Sequence, residues 1–411
     1  MNYIGRTLGE KLEKLASHFP VVVVSGARQV GKSTLVRHHF AGWGCVVLDP
    51  VQDIGNARAD PTLFLENHRC PLILDEIQYC PELVPLIKRK VDEDKRPGMF
   101  ILTGSQQWSV LKSVSESLAG RAVFLDLEGF SLRETRGQAG QRSWIERFLD
   151  DPEGFCAATQ VRLPEGLSPY ETLWRGSLPE MQSLPMEFCH DWMGGYLRTY
   201  IERDVRLLLD AGDWQQFGNF VRLLSALTAQ ETNHSQLGRE TGITPQTAKR
   251  WLATLRGTFQ WHEIPAYHGN LLKRISQKPK GYFQDTGLAC HLNRITSPEA
   301  LGGHPLAGAL FETFVAGEIR KALATLPYPV QTYHWRIHSG SEVDLVIEKD
   351  NRLHPIEIKL HSSPTRKDTR GLKVFREHYT PEKVAPGLVI APANHFERIT
   401  ENDYVLPWDL A

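Results

Sequence analysis

Apolar and polar residues along this chain follow two different periods, and the switches between them mark out its elements. The run Val21–Val24 is β-branched, too short for a helix and apolar on both faces, as in a parallel strand covered by helices on either side. Further runs predict strands over 71–75, closing on Asp75 and Glu76, over 99–103, leading into Gly104 and Ser105, and over 122–127. Residues 1–15 have a charged helical pattern, unlike a signal peptide. A domain boundary is expected near 130, because residues 131–170 are richer in Gly, Gln, Arg and Pro and poorly periodic. The helical period returns over 189–209, where Trp192, Tyr196, Tyr200 and Ile201 share a face.

Residues 215–256 predict three helices: an amphipathic one over 217–228, a short one capped by Ser235, and, after a turn at Gly242 and Ile243, a third opened by Thr244 and Pro245. On the third, Ala248, Trp251, Leu252 and Leu255 form the buried stripe and leave Gln246, Thr247 and Arg250 outside. This is a helix-turn-helix pattern, and residues 261–282 would be its wing, with Lys273, Arg274, Lys278 and Lys280 placed for phosphate contacts on DNA. A packing or protein-contact role with solvated lysines is the competing reading. Farther on, a helix over 309–326 carries Glu312 on its apolar face, and two alternating strands carry Asp344, Glu357 and Lys359 opposite their apolar sides. Strand pairing would bring these four together.

Composition adds exclusions. The 411 residues suggest two to four domains. Basic and acidic residues number 47 and 48, so any nucleic-acid surface must come from local clustering. Six scattered cysteines have neither metal-ligand spacing nor the density of a disulfide framework, which points to a reducing, cytoplasmic setting. No apolar run is long enough to span a bilayer, so no membrane partner is expected.

Chemistry is concentrated after the first strand. Gly26, Ala27, Arg28, Gln29, Val30, Gly31, Lys32 and Ser33, with Thr34 behind them, fit the phosphate-binding G-x-x-x-x-G-K-[ST] pattern between a strand and a helix. Glycines let main-chain N–H groups turn toward phosphate oxygens, and the helix N-terminus adds positive potential. Lys32 would reach the β- and γ-phosphates of ATP, and the Ser33 hydroxyl would ligate magnesium. Asp75 would hold the same ion, and Glu76 would orient and deprotonate the attacking water. Ser105, or Thr103, is a candidate γ-phosphate sensor. Arg121 is a candidate arginine finger, in cis or on a neighbour through self-association, with a surface salt bridge as the alternative.

The runs SGARQVGKSTL, LILDEIQ, ILTGSQ and LAGRAVFLDLEGFS, together with LWRGSLPEM, YLRTYIERDV and RISQKPKGYFQDTGL, resemble the bacterial and archaeal AAA-type ATPases that carry a C-terminal domain of unknown function. The set Glu312, Asp344, Glu357 and Lys359 resembles the PD-(D/E)xK nuclease-like fold, in which acids bind magnesium and the lysine activates water; the segment before Asp344 lacks the family's proline. The expectation is therefore an α/β chain with an AAA-type P-loop ATPase domain at 1–130, a helical connecting or lid region at 131–212, a winged helix-turn-helix at 213–304 and a nuclease-like domain at 305–411. Its function would be magnesium-dependent ATP hydrolysis coupled to modules that act on DNA. The alternative is a nucleotide-dependent switch or assembly module without nuclease activity.

Overall fold

The computed structural model describes the chain apart from residues 1–2, 49–53, 106–117, 164–167, 200–213, 270–273, 275–276, 338–339 and 411. Among the described residues, five parallel strands build the first sheet: β1 (Val21–Ser25), β2 (Gly44–Val47), β3 (Leu72–Asp75), β4 (Phe100–Gly104) and β5 (Ala122–Asp126), in the order β2-β3-β4-β1-β5. Every residue of β1 and β4 is buried, which is why both read as unbroken apolar runs. Val21 pairs with both Phe100 and Ala122, so the carboxyl ends of the central strands share one edge. The loop after β1 and the acids after β3 lie on that edge, where open α/β sheets take their ligands.

The region 131–170 is more regular than its periodicity suggests. It holds the helices Leu132–Thr135, Trp144–Asp150 and Pro152–Ala157, capped by the side chains of Ser131, Ser143 and Asp151. None exceeds two turns, too short for a period to show; the caps are what start them. The next long helix is described over Met186–Thr199. Tyr200 and Ile201 lie outside the described residues.

Residues 214–283 combine the helices Trp214–Ala226, His234–Thr241 and Pro245–Gly257 with a small antiparallel sheet. Its strands β6 (Gln230–Glu231), β7 (Trp261–Ile264) and β8 (Lys280–Phe283) run in the order β6-β8-β7. Phe217 and Phe220 meet the Trp251 ring edge-on at 5.3 and 5.4 Å. The Thr244 cap forms as expected. The cap of the preceding helix is Asn233, not Ser235: the Asn233 side chain accepts from the Ser235 and Gln236 amides, so Ser235 already lies inside.

The last third packs the helix Ala307–Leu323 and the helix Arg370–His378 against a mixed six-stranded sheet. Its strands β9 (Gln331–Arg336), β10 (Glu342–Lys349), β11 (Arg352–Ile358), β12 (Gly387–Ala391), β13 (Glu397–Arg398) and β14 (Asp403–Pro407) run β13-β14-β12-β11-β10-β9. Strands β10 and β11 are antiparallel, with Leu345 opposite Ile356, which sets Asp344 beside Glu357 one step on. A paired charge ties this part to the first sheet. Arg320 Nε and Nη2 donate to the Glu128 carboxylate at 2.7 and 2.5 Å, and the Gln284 amide donates to the same carboxylate at 2.6 Å. Burial alone would raise the Glu128 pKa; the Arg320 guanidinium outweighs it and holds the group down at about 2. Among the described residues no helix is long and apolar enough to cross a membrane, and no disulfide forms.

Two buried histidines predict how stability responds to acid. Burial pushes the His334 and His354 imidazoles down to about 4, against about 6.5 in an unfolded chain. Their folded pKa values lie below the unfolded one, so below pH 6.5 the unfolded chain takes up protons that the folded chain refuses. Stability is then full above pH 6.5 and falls as pH drops toward 4. Between pH 6.5 and 5 the loss is about 2 kcal/mol per histidine. Denaturant unfolding of the parent, His334→Gln and His354→Gln at pH 7, 6 and 5 isolates it, and a difference between parent and variants that stays constant over that range would refute it.

Candidate functional site

Sterics fix the path of the loop that joins β1 to the helix Lys32–His39. A Cβ at Gly26 would stand 2.1 Å from the Leu127 carbonyl oxygen, so only glycine lets the loop leave the sheet here. Gly31 has φ +94°, and from it the helix begins. Below the loop lies a guanidinium. Arg6 donates through Nη1 to the Val30 carbonyl at 2.8 Å, through Nη2 to the Glu128 and Gly129 carbonyls at 2.6 and 3.2 Å, and through Nε to the Glu134 carboxylate at 3.1 Å. The buried Lys32 ammonium donates to the Gly26 and Ala27 carbonyls at 3.0 and 2.8 Å. The loop thus holds a positive charge at its own mouth.

The two acids meet this loop from β3. Asp75 is buried, and its Oδ1 accepts from the Ser33 hydroxyl at 3.0 Å and from the Thr103 hydroxyl. Arg37 Nη2 stands 3.7 Å from the other oxygen. Glu76 has φ +62°, its N–H donates to Thr103 Oγ1 at 3.1 Å, and its carboxylate accepts from the Gln78 amide. The same amide donates to Ser105 Oγ at 3.2 Å, while Gln78 Oε1 is buried without a partner. One side chain thus links Glu76 to Ser105.

A cavity of about 470 Å³ opens over these groups. Its lining includes the loop and helix residues Gln29, Gly31, Lys32, Ser33 and Thr34, the acid Glu76, and the apolar Ile4, Phe130 and Pro179. The size and the mixed polar and apolar lining suit a small charged molecule. A hydroxyl and a carboxylate in contact at 3.0 Å are hard oxygen donors of the kind magnesium takes, so the residues fit that ion.

Arg121 does not join the site. It precedes β5, at the amino edge of the sheet, opposite the phosphate loop, and its guanidinium grips Asp92 with both Nε and Nη2, at 2.6 and 3.0 Å. A finger acting on its own chain's nucleotide is ruled out by that placement, and the salt-bridge alternative is what forms. The sequence reading missed Arg6, Arg37 and Gln78. Gln78 lies within the LDEIQ run and Arg37 on the helix that Lys32 opens, whereas nothing near Arg6 announces its role.

The C-terminal set does come together. Glu312, Asp344, Glu357 and Lys359 form one cluster: Lys359 Nζ is 2.5 Å from Glu357 Oε1 and 3.9 Å from Asp344 Oδ2, and Asp344 Oδ2 also accepts from the Ile358 amide at 2.9 Å. Two unforeseen residues complete it. Lys280 Nζ lies 2.6 Å from Glu312 Oε1 and 3.3 Å from Asp344 Oδ1, and the Tyr282 hydroxyl donates to Glu312 Oε1 at 2.8 Å. Burial first, then the Asp344 charge, push the Glu312 carboxyl up to about 8. Burial opposes the Lys280 charge, but Glu312 and Asp344 outweigh it and raise its pKa.

Two of the predicted DNA contacts therefore need correcting. Lys280 is buried in this cluster. Arg274 bonds Glu348 at 2.8 Å and Tyr333 at 3.0 Å and lies over the Tyr267 ring. The physical reason is that a buried cation must be paired, and the C-terminal domain supplies both partners. Lys278, Gln246 and Arg250 are exposed and Thr247 is half-buried; Lys273 lies outside the described residues.

Residues 18–136 match a sequence family described as an AAA domain, and residues 168–299 and 307–411 match two families described only as domains of unknown function. An uncharacterized protein of Mycobacterium tuberculosis is 27% identical over 98% of this chain and 83% of its own length, and one of Mycobacterium bovis matches to the same extent. Similar solved structures include a Walker-type ATPase of Pyrococcus abyssi and the RuvB Holliday junction branch migration motor of Thermotoga maritima. The first is 15% identical, with a TM-score of 0.37 over 69% of this chain and 94% of the other. The second is 15% identical, with a TM-score of 0.29 over 64% of this chain and 90% of the other. TM-scores of this size do not show a shared fold. The family match and the loop geometry agree: residues 18–136 are similar to an AAA domain and carry a P-loop between β1 and the helix Lys32–His39.

Proposed function

We propose that the protein is a magnesium-dependent ATPase whose nucleotide site is the cavity between the phosphate loop and the acids after β3. One observation carries this reading: the Ser33 hydroxyl, in the first turn of the helix Lys32–His39, and the Asp75 carboxylate, at the end of β3, are in hydrogen-bond contact beside Lys32. The amides of residues 27–33 and the helix N-terminus would hold the phosphates, with Lys32 leaving the Gly26 and Ala27 carbonyls for phosphate oxygens. The apolar Ile4, Phe130 and Pro179 would take the base. Ser33 and Asp75 would hold magnesium, which when bound neutralises phosphate charge. Glu76 would take a proton from the attacking water, held in place by the Gln78 amide that also contacts Ser105.

We further infer that residues 213–304 are a winged helix and residues 305–411 a nuclease-like domain. The order helix, strand, helix, helix and hairpin supports the first, and the helix Ala307–Leu323 followed by β9, β10 and β11 with four clustered site residues supports the second. Gln246, Thr247 and Arg250 on the third helix, with Lys278 beyond it, are the predicted groups left for contact with DNA. A specific observation favours the alternative, a nucleotide-dependent switch without nuclease activity: Lys280 already fills the acid cluster.

Glu76→Gln is expected to keep ATP affinity within about twofold and to lower turnover by roughly 10²–10⁴. Calorimetry with a slowly hydrolysed analogue and phosphate release measure the two; parallel loss of both would show that Glu76 is structural. Gly26→Ala should abolish the rise in melting temperature that ATP gives the parent protein, since the added carbon collides with the Leu127 carbonyl. Arg250→Ala should weaken duplex binding and lower the salt slope by about 1 if the helix meets phosphate. Anisotropy titrations across salt measure it, and no change assigns that helix to protein contacts.

A further inference from the structure

The acid cluster of the C-terminal domain has its own cation, delivered by another part of the chain. Lys280 belongs to β8, in the small sheet, while Glu312 lies on the helix Ala307–Leu323 and Asp344 on β10. Packing around β8 fixes which face its side chains take. A Cβ at Gly281 would lie 2.0 Å from the Trp261 ring, so that face of the strand must be glycine. Side chains alternate along a strand, and Lys280 and Tyr282 are thereby both turned to the other face, where both contact Glu312.

Two further observations describe what the cluster is suited to hold. Three carboxyl groups and two ammonium groups share one buried place. Glu357 is 5% exposed, and its Oε2 accepts no hydrogen bond even though Oε1 is held by Lys359. With a divalent cation in place of the Lys280 ammonium, the orphan oxygen would have a partner. Among the described residues no three acids, histidines or cysteines are disposed as metal ligands.

We propose that Lys280 is a built-in counter-cation that keeps this cluster closed to divalent metal, and that the cluster becomes a divalent-cation site when the ammonium is removed. The inference rests on the cluster alone and is independent of the ATPase reading. Strand β8 is also the natural lever for such a contact. Gln284, just beyond it, bonds both Glu128 of the first domain and Arg320 of the last.

The test is Mn²⁺ binding to the full-length, nucleotide-free chain, followed by electron paramagnetic resonance of the free ion. Lys280→Met is expected to gain one site per chain that the parent lacks, with affinity raised at least about tenfold. Lys280→Met combined with Asp344→Asn is expected to lose that gain, which separates the cluster from any weak binding at Ser33 and Asp75. Should Lys280→Met prove unstable without metal, Mn²⁺ is expected to raise its melting temperature while leaving the parent and the double variant unmoved. The proposal is overturned if the parent already binds Mn²⁺ through Asp344, or if Lys280→Met neither binds the ion nor is stabilised by it.

Discussion

A charge taken out of water has to meet an opposite charge or a full set of hydrogen bonds, and in this chain that requirement decides where the parts sit. Arg6 settles under the phosphate loop because carbonyls of Val30, Glu128 and Gly129 and the Glu134 carboxylate surround it there. Arg320 reaches from the last third to Glu128, and Lys280 reaches from the small sheet to Glu312 and Asp344. Each pair joins elements that hydrophobic packing alone would let slide, since apolar contact has no direction and an ion pair does. Such pairs add little net stability against an apolar filling of the same space, but losing one member leaves the other stranded.

The same pairs make a continuous set of contacts between the two candidate sites. The Val30 carbonyl, within the phosphate loop, binds Arg6; Arg6 binds the main chain at Glu128; the Glu128 side chain binds Gln284, just past the strand that carries Lys280. Contiguity of this kind is not itself coupling, which requires an element with two arrangements that both sites bias. The Lys32 ammonium, resting on the carbonyls of its own loop, and the Lys280 ammonium, resting in the acid cluster, are the two groups for which a second arrangement is chemically defined.

Much of the first domain was legible because its signals are local. A buried parallel strand is an apolar run, and a phosphate loop is eight consecutive residues, so both survive without knowledge of the rest of the chain. The helices at 132–157 were missed because a two-turn helix carries too few residues for periodicity, and its capping serine or aspartate is also common in loops. Lys280 was misread for a deeper reason. A lysine in a strand beside other lysines looks solvated, and only the close approach of Trp261 to Gly281, which leaves no room for a Cβ, reveals which way it must face. The Asp344, Glu357 and Lys359 grouping was readable from alternation, yet the residue that fills it comes from more than sixty positions upstream. Arg6 lay beyond reach altogether, since its four partners are spread over residues 30–134.

The Glu128–Arg320 pair also bears on how the chain is made. Its members are 192 residues apart, and Lys11 likewise waits 313 and 315 residues for the carbonyls of Ala324 and Leu326. On the ribosome the sheet β1–β5 emerges complete long before either partner exists, so the nascent first domain must carry Glu128 with its intended cation still unmade. Contacts this remote in sequence close slowly. The sheet β1–β5 and its surroundings can therefore reach their finished form only after translation of the C-terminal third, which ties the maturation of the first domain to the integrity of the last.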